Sequence, residues 1–163
     1  MGTPASSDPP PTLASIVGGA RREGRELAPD VLALTIGNDV TARDIEAKNP
    51  LYLPQAKIFA SSCALGPALV AADVPQPLEI GLAIRTADGT TKFARSTSTR
   101  LLRRSFAELA SFAFRHNPIP AGSVILTGTG IVPTDDVALV DGDVVEVSLE
   151  RVGTLRTPVR RLA

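Results

Sequence analysis

The stretch LEIGLAIRTADGTTKFARSTS, residues 78–98, alternates apolar and polar side chains on both sides of Asp88-Gly89. Alternation puts every second side chain on one face of a strand, and an Asp-Gly pair readily takes the positive φ angles of a tight turn. The segment therefore predicts a β-hairpin. Working outward, the same period recurs in DGDVVEVSLERVGTLRTPV, residues 141–159, where Val145, Val147 and Leu149 alternate with polar neighbours. VLALTIGNDV, residues 31–40, is rich in β-branched and aliphatic residues and reads as a buried strand. LASIVGG (13–19) and SVILTGTGIV (123–132) read as further strands, the second running into a glycine-bearing turn. The charged segment ARREGRELAPD, residues 20–30, reads as a turn or loop between two of them.

One helix is expected, over residues 99–116, because Leu102, Phe106, Leu109 and Ala113 recur at three- and four-residue spacing. Ser98 or Thr99 can cap its start, and Asn117-Pro118 ends it. TARDIEAKN, residues 41–49, has room for one short helical turn before Pro50 stops it. A single helix among many strands, with no internal repeat, predicts a mostly β roll or barrel-like domain.

The 163-residue chain is long enough to bury one real core. Residues 1–11, proline-rich and polar, read as a disordered tail without the apolar centre of a signal peptide, and residues 12–163 as one domain. The net charge is zero and aromatic residues make up only 4%, which removes the electrostatic and stacking case for a nucleic-acid partner. No apolar run is long enough to span a bilayer as a helix. Cys63, the one cysteine, cannot form an internal disulfide; it reads as a small buried residue and fits a cytoplasmic location.

Six charged residues fall within residues 37–57, GNDVTARDIEAKNPLYLPQAK: Asp39, Arg43, Asp44, Glu46, Lys48 and Lys57. Spacing alone leaves two readings open. Asp44 and Glu46 can pair with Arg43 and Lys48 on a solvated turn, as most surface charges do. Alternatively, Asp39, Asp44 and Glu46 can offer oxygens to a hard cation. Lys57 either lays its stem along apolar neighbours with its ammonium in water, or points into a pocket to bind an anionic or carbonyl oxygen. TGTG, residues 127–130, is either a plain turn or a set of amides and hydroxyls for a carboxylate; it lacks the GK[ST] ending of a phosphate loop. His116 reads as a helix-end group rather than a base.

Taken together, GNDVTARD, the lysine of PQAK followed by ALGP, and PAGSVILTGTG with the closing DGDVVEVSLERVGTL resemble the fumarylacetoacetate hydrolase superfamily. RDIEAKNPLYLPQAK, CALGP and TGTGIVP look most like the branch that dehydrates 2-keto-3-deoxy sugar acids. The resemblance implies a β-rich roll, a homodimer, a small-molecule substrate and Mg²⁺ or Mn²⁺. It places Asp39 as a metal ligand, Lys57, Glu46 and Arg43 as the catalytic set, and Gln55, Thr127, Gly128 and Thr129 at the substrate. It implies a dehydratase-like lyase acting on a 2-oxo acid through an enolate. The alternatives are a C–C hydrolase or decarboxylase of the superfamily, or a catalytically silent binding protein of this fold.

The departures from the family pattern are as specific as the matches. Family members carry an upstream Glu-x-Glu pair that completes the metal site, whereas here PTLASIV places Thr12 and Ala14 at the comparable positions. Glu23 and Glu26 have the wrong spacing to replace that pair. The His–Glu lid pair of the hydrolases and decarboxylases has no counterpart either. A metal is therefore expected to be poorly supported, unless a partner subunit supplies its ligands.

Overall fold

The computed structural model describes residues 7–8, 11–23, 26–71, 77–120 and 122–161, those before residue 33 as backbone. Two four-stranded antiparallel sheets carry the fold. In the first, β2 (Pro11–Glu23) and β3 (Glu26–Asp39) form a long hairpin flanked by β5 (Cys63–Ala71) and β8 (Ser123–Leu126), in the order β5-β3-β2-β8. The second contains β6 (Glu79–Arg85), β7 (Thr91–Ser98), β9 (Val144–Leu149) and β10 (Gly153–Pro158), in the order β10-β9-β6-β7. A two-residue strand β1 (Ser7–Asp8) pairs with β4 (Thr41–Ala42). The fold is mostly β, as the alternating patterns predicted.

The hydrophobic core lies between the sheets. Leu34 and Ile36 of β3 meet Leu82 and Ile84 of β6 and Val145, Val147 and Leu149 of β9, all at most 2% exposed. β9 alternates buried and half-buried residues along its length, the period that DVVEVSL carries in sequence. β3 is buried on both faces: Leu34, Ile36 and Asn38 occupy one and Thr35 the other. The β6–β7 hairpin turns at Thr86–Thr90, where the Thr86 amide donates to the Thr90 carbonyl and the Asp88 carboxylate accepts from the Thr90 amide.

Three local expectations change. Of residues 20–30, expected as a loop, 24 and 25 lie outside the described residues and the rest continue β2 and β3: Arg21 pairs with Ala28 and Glu23 with Glu26. Backbone pairing carried outward from the apolar part of the hairpin overrides the charged composition there. The helix is shorter than its apolar spacing suggested. Thr99–Leu101 is a 3-10 turn, and α3 (Phe106–Phe114) starts only after Ser105, whose hydroxyl accepts from the Glu108 amide at 3.1 Å. Ser98 caps the turn and Ser105 caps the helix, so two cap sites divide what reads as one periodic run. Finally, of the expected tail, residues 1–6, 9 and 10 lie outside the described residues. Ser7–Asp8 is a strand and Pro11 opens β2, a first-strand position that a missing N–H tolerates.

Candidate active site at the end of strand β3

β3 ends at Asp39, and the chain turns through β4 into a short helix α1 (Arg43–Glu46) and then α2 (Leu53–Lys57). Pro50 and Pro54 sit in the first turn of their segments, where a missing N–H is tolerated, and the Asn49 side chain accepts from the Leu51 amide at 2.9 Å. This compact path returns Lys57 to the strand end. Its Nζ lies 2.6 Å from Asp39 Oδ2 and 2.8 Å from Thr41 Oγ1. The pair is half-buried, with Lys57 and Asp39 side chains 29% and 16% exposed, so solvent screens it only in part. One helical turn away, Arg43 Nη1 donates to Glu46 Oε2 at 2.6 Å.

Of the two readings for the charged run, Glu46 does pair with Arg43, while Asp44 and Lys48 are exposed with no ion pair among the described residues. Lys57 binds a carboxylate rather than reaching into open solvent. Gln55 is exposed on α2, two residues before Lys57. Thr41 was not singled out in sequence, although its place two residues after Asp39 on an extended chain was a usable signal. It is 2% exposed and ties the ammonium to the backbone.

The TGTG turn forms a second group. β2 pairs antiparallel with both β3 and β8, so these two strands run in the same direction, and Thr127 follows β8 at the same end at which Asp39 closes β3. Thr127, Gly128, Thr129 and Gly130 line a cavity of about 170 Å³ with Thr97 and Ser98 of β7. Gly128 holds φ at +91°, and a Cβ on Gly130 would stand 2.8 Å from Thr97 Oγ1, so both glycines are required where they are. The Thr129 hydroxyl accepts from the Ile131 amide at 3.0 Å and donates to its carbonyl at 2.9 Å. Asp39, Arg43, Glu46, Gln55 and Lys57 do not line this cavity. The structure thus gathers the expected residues into two ion pairs and a separate hydroxyl-lined cavity. A larger cavity, about 500 Å³ around Arg100, Arg103 and Ser105, contains none of them.

Cys63 stands opposite Asp39 in the β3–β5 register. The residue is exposed rather than buried, because β5 is the edge of its sheet. Even so, partial burial of the thiol pushes its pKa up; the Asp39 carboxylate adds to this and Lys57 opposes it. His116 is exposed, two residues past α3 at φ 60°, and makes no site contact among the described residues.

The fumarylacetoacetate hydrolase C-terminal domain matches residues 11–160. The chain belongs to the fumarylacetoacetate hydrolase family. It is 46% identical over 134 residues to 2-dehydro-3-deoxy-D-arabinonate dehydratase of Saccharolobus solfataricus, an alignment covering 80% of this chain and 45% of that protein. To a probable 2-keto-3-deoxyxylonate dehydratase of Haloferax volcanii it is 41% identical, over 80% of this chain and 46% of the other. Among solved structures, 2-keto-3-deoxy-D-arabinonate dehydratase complexed with magnesium and 2,5-dioxopentanoate superposes with a TM-score of 0.87 at 41% identity, covering 96% of this chain and 54% of that one. The fumarylacetoacetate hydrolase of Exiguobacterium antarcticum gives a TM-score of 0.79 at 30% identity over 96% and 57% of the two chains. The chain spans about half the length of the curated relatives it matches.

Among the described residues, the donor set does not fit a divalent cation. Such an ion takes several carboxylate or carbonyl oxygens, and Asp39 offers one carboxylate with one oxygen already on Lys57. In the backbone register Thr12 stands opposite Gly37 and Ala14 opposite Thr35, and neither residue type is anionic. Glu23 and Glu26 pair with each other at the far end of the hairpin, eleven residues (23 − 12) from Thr12 along β2, roughly 36 Å at the rise of an extended strand. Among the described residues no three His, Cys, Asp or Glu side chains come together in a metal-binding group.

Proposed function

We propose that this chain is a dehydratase-type lyase acting on a small 2-oxo acid of the 2-keto-3-deoxy sugar acid class. The observation that carries the reading is the Lys57 ammonium held 2.6 Å from Asp39 and 2.8 Å from Thr41, beside the Arg43–Glu46 pair. An ammonium so fixed donates to the 2-oxo oxygen of a bound acid and stabilises the charge that develops there as the α-carbon loses a proton. Glu46 receives that proton, and Arg43 shifts from Glu46 to the substrate carboxylate. The C3–H electrons move into the enolate; the enolate then expels the C4 hydroxyl, which takes the proton held by Glu46 and leaves as water, returning Glu46 to its carboxylate. The remaining oxygens are assigned to Gln55 and to the Thr127–Gly128–Thr129 turn, whose cavity is separate from the ion pairs, so the bound acid has to bridge the two. No step here is routed through a metal, because no metal-binding group is found among the described residues.

Incubation with 2-keto-3-deoxy-D-arabinonate followed by proton NMR tests the reading. Wild-type chain is expected to consume the acid and yield the dehydrated 2-oxo product. Lys57→Ala and Glu46→Gln are each expected to lose about 10²- to 10⁴-fold in kcat/KM. Full turnover in both variants would sink the assignment. A second reading, a catalytically silent binding protein, draws on the missing carboxylates at Thr12 and Ala14; it predicts a thermal shift with the oxo acid and no product. We further propose that the chain forms a homodimer in the cytoplasm.

A further inference from the structure

In the Asp39 cluster, one carboxylate faces one ammonium, and the remaining contact, Thr41, is neutral. Asp39 and Lys57 therefore sum to zero charge. A divalent ion placed beside Asp39 would leave two positive charges uncompensated next to Lys57. Two further carboxylates would restore the balance, but the β2 positions in register, Thr12 opposite Gly37 and Ala14 opposite Thr35, carry none. The distant Glu23 and Glu26 cannot reach it. We propose that the Lys57 ammonium is the permanent cation of this site, that the chain takes no divalent ion at Asp39, and that an anionic oxo acid binds the ammonium directly. An ammonium has three donor hydrogens; among the described residues Asp39 and Thr41 take two, which leaves one for the incoming ligand. Only the identity of that ligand rests on the lyase reading above.

Mn²⁺ is the probe, followed by the loss of its free-ion electron paramagnetic resonance signal on binding. The wild-type chain is expected to leave the signal intact up to about 1 mM Mn²⁺, since affinity follows the number of charged ligands. Thr12→Glu, and Thr12→Glu with Ala14→Glu, checked for native circular dichroism, are expected to take up one ion per chain, at least about 100-fold more tightly. Stoichiometric uptake by the wild type below roughly 50 μM, abolished by Asp39→Asn, would overturn the proposal. Uptake abolished by Asp8→Asn would overturn it equally, since Asp8 is the acidic residue whose backbone pairs with Thr41. If both carboxylate variants fold and neither binds Mn²⁺, the placement of Thr12 at the site is wrong and the proposal fails. Turnover separates this from the function itself. Activity that persists in a chelator sustains both readings, whereas no ion uptake together with no product defeats the lyase reading alone.

Discussion

Asn38 is fully buried, and neither its amide nitrogen nor its carbonyl oxygen has a hydrogen-bond partner among the described residues. It shares the core face of β3 with Leu34 and Ile36, an apolar place for a side chain that wants three or four hydrogen bonds. An unpaired buried amide costs about 1–3 kcal/mol. Asn38→Leu, close in shape, is expected to raise the midpoint of chemical unfolding; a fall would show that Asn38 makes a compensating contact. Beside it, Cys63 offers a probe of the charged pair. With its thiol pKa pushed up by burial and by Asp39, alkylation by iodoacetamide at neutral pH should be slower than that of free cysteine and should accelerate as pH rises. Asp39→Asn removes one cause of the rise and should speed the reaction, whereas Lys57→Met should slow it. Unchanged rates in both variants would mean that the charges do not reach the sulfur.

At the scale of elements, the capping serines set where helix begins. Ser105→Ala removes the acceptor for the Glu108 amide and is expected to cost about 1 kcal/mol in thermal unfolding. Removal of Ser98, whose contact with the Arg100 amide is 3.4 Å, should cost less. This division was partly legible. Helical spacing over residues 99–116 announced an apolar stripe, and Phe106 and Leu109 do lie on α3, joined by the buried Ala110 and Phe114. What spacing could not show is which of two serines caps the helix, because both have the chemistry and only tertiary placement chooses. The strands were easier to read, since burial on one face writes a period of two into β9 directly. The opposite held for residues 20–30, where the ladder depends on pairing with a partner strand that composition does not report. In the site, Lys57 and Asp39 were each recognisable, but their contact across 18 residues depends on the path of α1 and α2. Likewise, the approach of Thr97 on β7 to Gly130 in the loop after β8 spans 33 residues (130 − 97) and leaves no local signature.

The molecule as a whole is pinned at one further polar point. Asp143, 1% exposed, accepts from the Val140 amide at 3.0 Å and from Lys92 at 3.2 Å, while Lys92 also donates to the Ala138 carbonyl. This links the loop before β9 to β7 across the second sheet. Lys92→Met would leave a buried carboxylate without its cation, with an expected loss of about 3–5 kcal/mol in unfolding free energy. Recovery of most of that loss in Lys92→Met with Asp143→Asn would confirm the coupling, and additive losses would refute it. The Gly130–Thr97 contact has a consequence of another kind. Thr97 lies on β7 and Gly130 in the loop that follows β8, and the two meet without room for a methyl group, so they act as a gauge on the width of the hydroxyl-lined cavity. Enlarging residue 130 alone jams the gauge, and trimming Thr97 alone leaves a gap. Changing the width of this cavity would therefore require altering the two positions together.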